Sequence, residues 1–511
     1  MRLRTAAVAV MLFSMLLALP TAGANFSDLT SNDENSVTAD ILAPPSGLTV
    51  ACGATITLDW TATVDTYASG HRVLRSTTSG GPYSQIADVT PRTTVTYADT
   101  PAAGTYYYVI RAFYVNWEST DSNEVVASTG TCAPPLVSGL APSSGPKTGG
   151  TSVVISGSGF TGSTAVNFGA TPATGYAVDS DTQITATAPA GTLGATVDVQ
   201  VTTPLGMSVN TAADDYTYAG ITYYVRTDGS DANTGLSNSP AGAWLTIQKA
   251  ASTMTAGDTV RVQPGSYPET VTPGIAGTAA NPITYLADGL AVVDGGNTRC
   301  KAFDVVGTGY LVIDGFEITD QPDCGGADSA VDINNANNVT IRNNIIHDTG
   351  RDAIYFTGTS ANGLVENNLI YNIDDDGSTP IGGGNHVFRN NTFAGTITGW
   401  ALENGLGSNL FENNIFWVTA GNGAIQNTGL GTFNYNDYNA AVLPGIGNIS
   451  SNPLFVGGYH LSHIAAGQGF NSPAIDAGSD TAANLGLDTR TTRTDNITDT
   501  ATIDLGYHYV P

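Results

Sequence analysis

Charge is scarce in this chain, and basic charge scarcer still. Only 12% of the 511 residues are Asp, Glu, Lys or Arg, and 17 basic residues face 44 acidic ones, a formal net charge of −27. That balance opposes nucleic acid and anionic membrane surfaces, which need cationic partners, and favours neutral, cationic or metal-bridged ones. Cysteine is limited to four residues, enough for two bridges. After Leu19 no apolar run is long enough to span a bilayer, so no membrane span is expected there. Helical spacing of apolar residues is rare. What is abundant is glycine, 60 residues, together with Thr, Ser and Asn, which is the composition of an all-β protein with many turns.

One pattern organises the second half. Arg342-Asn343-Asn344-Ile345-Ile346 returns as Glu366-Asn367-Asn368-Leu369-Ile370, Arg389-Asn390-Asn391-Thr392-Phe393, Glu412-Asn413-Asn414-Ile415-Phe416 and, degraded, Tyr435-Asn436-Asp437-Tyr438-Asn439, at steps of 24, 23, 23 and 23 residues. A period in the twenties with alternating apolar residues predicts a solenoid of parallel strands, one repeat per coil. Columns then become ladders in space. Ile341, Val365, Phe388 and Phe411 are expected to point inward. Arg342, Glu366, Arg389 and Glu412 form an outer ladder of alternating charge, and Asn343, Asn367, Asn390, Asn413 and Asn436 are expected to stack at the bend, where Asn tolerates left-handed backbone.

Residues 1–24 carry Arg2 and Arg4, an apolar run from Ala6 to Leu19 and the small-residue site Ala22-Gly23-Ala24, the layout of a cleavable export signal. The protein is therefore expected to be secreted or held at the cell surface. Residues 25–42 read as a flexible polar leader. An oxidising compartment permits Cys300 to pair with Cys324, 24 residues on and so one coil away, and Cys52 to pair with Cys132. The coil length near the first pair is ambiguous, since Asp294-Gly295 and Asp314-Gly315 read as equivalents 20 residues apart.

Two β-sandwiches are expected ahead of the solenoid, over residues 43–132 and 134–219. In the first, Ala43-Pro44-Pro45-Ser46-Gly47-Leu48, Ile56-Thr57-Leu58-Asp59-Trp60 and Tyr106-Tyr107-Tyr108-Val109-Ile110 resemble the fibronectin type III pattern. Trp60 and the Tyr cluster are expected in its core. In the second, Gly149-Gly150-Thr151, Ile155-Ser156-Gly157-Ser158-Gly159-Phe160 and Val166-Asn167-Phe168-Gly169 resemble the immunoglobulin-like IPT/TIG family.

From Thr222 the succession Thr222-Tyr223-Tyr224-Val225-Arg226, a polar loop at 228–235, an amphipathic segment Trp244 to Ala251, and Gly257-Asp258-Thr259-Val260 resembles the opening of secreted right-handed parallel β-helix proteins, polysaccharide lyases among them. The amphipathic segment is expected to be a capping helix. The Asp228-Gly229-Ser230-Asp231 loop carries oxygen ligands at a spacing similar to a calcium loop, with a structural turn as the competing reading. The fold class is thus all-β: two immunoglobulin-like sandwiches, then a right-handed β-helix over 222–453. Residues 454–511, with Ser472-Pro473-Ala474-Ile475-Asp476-Ala477-Gly478, resemble a choice-of-anchor segment and are expected to cover the last coil.

A shift of 24 residues sets Arg351 and Asp352 beside Asp374, Asp375 and Asp376, and His347 beside Tyr371. Four carboxylates, an Arg and a His would converge, and carboxylates packed so closely bind a cation or raise one another's pKa. A solvated turn of aspartates is the competing reading. On the following strand Tyr355, Glu403 and Gln426 are expected to face outward with Trp400 at the border, a groove for sugar rings, whereas His386 falls in an inward column. The β-helix resemblance implies an extracellular polysaccharide as partner, bound by a single chain. It also implies calcium with a Lys or Arg base for a lyase, for which Arg351 is the candidate, with Asp374 and Asp375 as metal ligands. A glycosidase would instead pair Asp352 or Asp376 with Glu403. An adhesive or structural exported protein needs none of these groups, so the reaction stays open here.

Overall fold

The computed structural model describes residues 24–25, 40–130, 133–326, 328–405, 408–427, 431–439 and 445–511. The predicted export signal, most of the leader and Cys132, and with it the Cys52–Cys132 pairing, lie outside the described residues. Two compact units result, residues 1–219 and 220–511.

The first unit holds two sandwiches. In the first, strands Ser46–Ala51, Ile56–Thr61 and Thr96–Asp99 form one sheet, and Gly70–Ser76, Ser84–Val89, Thr105–Tyr114 and Val125–Ser128 lie in the other. Their alternate residues Leu48, Ile56, Leu58, Trp60, Val73, Tyr108 and Ile110 meet in one core, as expected for Trp60 and for one tyrosine of the cluster. In the second, Val153, Ile155, Phe160, Phe168, Val199, Val201 and Tyr216 do the same.

The second unit is a solenoid with three sheets that run along its length. Among the described residues one sheet has nine parallel strands from Thr222–Val225 to Thr432–Asn434, and a second has eight from Gly265–Tyr267 to Asp437–Tyr438. The third is split between a four-stranded part, ending in Asp352–Thr357 and Ser378–Pro380, and the pair Trp400–Asn404 and Gly423–Asn427. The inward column is as read: Ile341, Val365, Phe388 and Phe411 are fully buried, and Phe388, Phe411 and Phe433 stack with centroids 5.1 and 4.6 Å apart. On the outer face Arg389 Nε lies 3.0 Å from Glu366 Oε1, while Arg342 turns to Asp314 of the preceding coil at 2.8 Å.

The asparagine columns need one correction. Asn343, Asn367, Asn390 and Asn413 do adopt left-handed backbone, but in the last repeat Tyr435, not Asn436, takes that position. Asn436 belongs to the second column, so the final step is 22 residues. That second column carries the amide ladder. Each Nδ2 of Asn344, Asn368, Asn391 and Asn414 donates to the Oδ1 of the next asparagine at 2.9–3.0 Å and to a carbonyl of the preceding coil at 2.9–3.1 Å. All four are fully buried, so the ladder satisfies the polar groups that the turn would otherwise orphan.

Earlier coils are longer. Arg342 is bonded to Asp314 at a separation of 28 residues, and Asp294 pairs with Thr319 in a different sheet, so Asp294 and Asp314 are not equivalents. Cys300 and Cys324 are joined by a disulfide with Cα atoms 5.8 Å apart.

At the amino-terminal end the capping helix is Ile247–Ala251, shorter than the segment read from the sequence. Thr246 caps it, and the Glu269 carboxylate accepts from the Ile247 and Gln248 amides at 2.8 Å each. Asp231 is engaged by the Leu245 and Thr246 amides at 2.9 and 3.0 Å, and Asp228 pairs with Arg226 at 2.7 Å, as a structural turn requires. The closing segment runs back along the flank rather than stopping over the last coil. The Asn367 Oδ1 accepts from the His508 amide, the Thr392 hydroxyl from the Tyr507 amide, and Asn413 bonds to Ser479 and Gly506.

Candidate functional site

Two successive bends into the third sheet bring the acidic residues together. Asp352 opens the strand Asp352–Thr357, and one coil later Asp374–Asp376 precede Ser378–Pro380, in register through Ile354 and Ser378. Ligand oxygens of Asp352, Asp375 and Asp376 all lie within 4.8 Å of one another. Asp374 stands outside this group: it is exposed, and its backbone is held by Thr349 and Thr398. His347 does not join either. It lies before the bend, on the eight-stranded sheet, stacked on Tyr371 at 4.8 Å between Glu317 and Asp348. Register pairs the strands but does not decide which way side chains turn at the corner, so the convergence comprises fewer groups than the shift of 24 implied.

Burial dominates the electrostatics. It pushes Asp352 up to about 7, helped by the negative charges of Asp376 and Asp375. Asp376 is raised to about 6 by burial and by the neighbouring Glu403 carboxylate, against the Trp400 amide and Thr379 hydroxyl that donate to it. Asp375 is raised by burial and by Asp376, and Arg351 opposes the rise. Arg351 Nε sits 3.2 Å from Asp375 Oδ2 but does not aim its N–H at it, leaving an ion pair without a hydrogen bond.

The face beyond the corner presents Tyr355, Glu403 and Gln426, each half-buried. Tyr355 pairs with Asp332 on one coil and Thr379 on the next, and Glu403 with Gln426. Burial and the carboxylates of Asp352, Asp332 and Glu403 raise the Tyr355 phenol, which places these groups in one electrostatic neighbourhood. The Trp400 ring lies over Gly423 of the following coil, where a Cβ would meet it at 3.2 Å. His386 is fully buried against Phe356 at 4.3 Å, accepting from the Gly363 amide, a core histidine as expected.

Lys301 lies just ahead of Phe303–Val306, the first strand of the same sheet. Its strand neighbour Asp304 pairs with Asp332, which pairs with Tyr355. Lys301 Nζ lies 2.6 Å from Asp332, 3.0 Å from Asp304 and 3.7 Å from Asp328. Burial alone would lower its pKa, but the hydrogen bonds it donates to Asp332 and Asp304 outweigh it and hold the ammonium charged. The available signal was the disulfide spacing: it placed Cys300 one coil from Cys324, and Lys301 follows Cys300.

Residues 223–434 match the family described as Pel9A-like, right handed beta helix region. Over these residues the solenoid is similar to the Pel9A-like β-helix. Residues 135–219 match the IPT/TIG domain. No curated protein matches the chain. Among solved structures, a Fn3-like protein from Clostridium thermocellum is 37% identical over 17% of this chain and 92% of its own, with a TM-score of 0.16. The pectate lyase Pel9A is 14% identical over 56% of this chain and 97% of its own, with a TM-score of 0.29. XylC in complex with xylose is 14% identical over 44% and 66%, with a TM-score of 0.33. Among the described residues no helix is long and apolar enough to cross a membrane.

Within the solenoid the acidic corner offers only oxygen donors, three carboxylates whose mutual repulsion a hard divalent cation such as calcium would relieve.

Proposed function

We propose that the solenoid engages an extracellular, uronate-containing polysaccharide along its third sheet, with calcium held by Asp352, Asp375 and Asp376. The observation that carries this reading is the convergence of those three carboxylates beside a face that bears Tyr355, Trp400 and Gln426 on neighbouring coils. A straight ladder of coils suits a linear polymer, because equivalent groups recur at strand spacing. Calcium would supply charge neutralisation of a uronate carboxylate. Arg351, an arginine and therefore always protonated, adds positive charge at the same corner and is unsuited to the role of base.

Cleavage by β-elimination would break the C5–H and C4–O bonds of the uronate, form a C4=C5 double bond and leave a reducing end. The C5 proton would end on the departing C4 oxygen, and Asp352, as a calcium ligand, would not be free to take it. A second reading, binding without cleavage, is favoured by one observation: Lys301 is the last lysine of the sequence and is held charged by Asp332 and Asp304. A screen of the protein against uronate-containing and neutral polysaccharides, with calcium and with chelator, separates these readings. Rising ultraviolet absorbance with new reducing ends selects elimination, and retention without products selects binding. No retention of any glycan removes the proposal.

A further inference from the structure

In the second sandwich, strands Thr196–Thr203 and Asp215–Ala219 pair antiparallel, and their register sets Asp198 directly opposite Asp215. Like charges so placed repel across the pair. Asp214 adds a third carboxylate, and ligand oxygens of Asp198, Asp214 and Asp215 lie within 4.8 Å of one another. Asp214 is 0% exposed. Its Oδ1 accepts from the Thr211 amide at 2.8 Å and the Thr211 hydroxyl at 3.2 Å, which accounts for one oxygen as the anchor of a turn. Its Oδ2 is sealed from water and has no hydrogen-bond partner. A buried carboxylate oxygen without a donor carries an uncompensated desolvation cost, and two more carboxylates beside it make that cost larger.

We propose that Asp198, Asp214 and Asp215 form a divalent-cation site of the calcium class that ties the last two long strands of this sandwich together. The donors are carboxylate oxygens alone, hard ligands that suit calcium better than a softer transition metal. Asp214 supplies a buried carboxylate from within, and Asp198, one of whose oxygens already accepts from Asn210, and the exposed Asp215 supply the outer ones, so the ion enters from the solvent side of the sheet. The site shares no residue with the acidic corner of the β-helix and does not depend on the reading given to that corner.

Hydrogen exchange of the whole chain, read by mass spectrometry in calcium chloride and in chelator, tests this. With calcium at ten times its dissociation constant, local opening of the bound strands is suppressed roughly tenfold, and peptides from these two strands should exchange about tenfold more slowly. Asp198→Asn, at a partly exposed position, should remove the slowing, whereas Asp352→Asn in the β-helix should leave it in place. Equal exchange of these peptides in millimolar calcium and in chelator would overturn the proposal. So would a slowing that persists in Asp198→Asn and Asp215→Asn alike.

Discussion

The buried carboxyl of Asp376 lies one coil from Glu403, and burial together with that neighbour's negative charge raises it to about 6. Asp352, one coil earlier, is pushed up to about 7 by burial and by the neighbouring aspartates. The native protein therefore holds these protons more tightly than the unfolded chain. The stability linked to them is complete below the ordinary aspartate pKa of 3.8 and is lost as pH rises through about 6 and 7. In chelator, thermal melting of the β-helix should fall between pH 5 and pH 8 by an amount reflecting a few kcal/mol, roughly. Asp352→Asn should flatten that fall. A melting temperature that rises over this interval would contradict the protonation argument.

Calcium prefers the deprotonated corner, so it should raise the melting temperature of the β-helix more at pH 8 than at pH 5. The measurement is differential scanning calorimetry at the two pH values with calcium and with chelator. Equal gains at both would mean that the ion binds elsewhere.

The two ladders on the solenoid should respond very differently to mutation. Asn391→Ala removes a side chain that donates to Val365 and Asn414 and accepts from Asn368, and it leaves those buried groups unpaired. A loss of about 3 kcal/mol or more is expected in urea titration. Glu366→Lys breaks a partly exposed pair with Arg389 and should cost about 1 kcal/mol or less. A reversed order of these two effects would show that the outer ladder holds the coils together.

The solenoid's legibility came from its bends. A coil that turns through left-handed backbone needs Asn or Gly there, so Asn343, Asn367, Asn390 and Asn413 announce the period directly. At Tyr435 the same backbone is imposed by packing on a residue that does not advertise it, and the last register slipped by one. The longer coils before Val339 carry no such pair at every turn, which is why Asp294 and Asp314 read as equivalents although they lie in different sheets. For the site, register brought Asp352 next to Asp376, but the outward turn of Asp374 and the placement of His347 on another sheet depend on side-chain direction at a corner.

If the third sheet carries the polymer, Tyr355→Ala and Trp400→Ala should each weaken retention of a uronate polysaccharide by about tenfold, near 1.4 kcal/mol, in affinity electrophoresis. Tyr355→Phe should lose less, since it keeps the ring. Unchanged retention in both alanine variants would place the binding face on another sheet.

Opening the Cys300–Cys324 disulfide, which closes a separation of 24 residues, should cost about 3 kcal/mol by loop-closure entropy. Cys324→Ser in chemical denaturation measures it. A variant as stable as the parent would show that the coil is fixed by its strands alone.

The closing segment alters how the solenoid can come apart. Stacked coils normally interact only with their neighbours, and the end coil frays first. Here Asn367 is bonded to His508, 141 positions further on, and Asn413 to Ser479, 66 positions on, so one strip of chain is laced across several coils at once. The terminal coils cannot peel away singly while that lacing holds. Under tension the second unit should therefore give way in one large step once the strip is drawn off, in place of the staircase of small steps that an unlaced stack of coils would show.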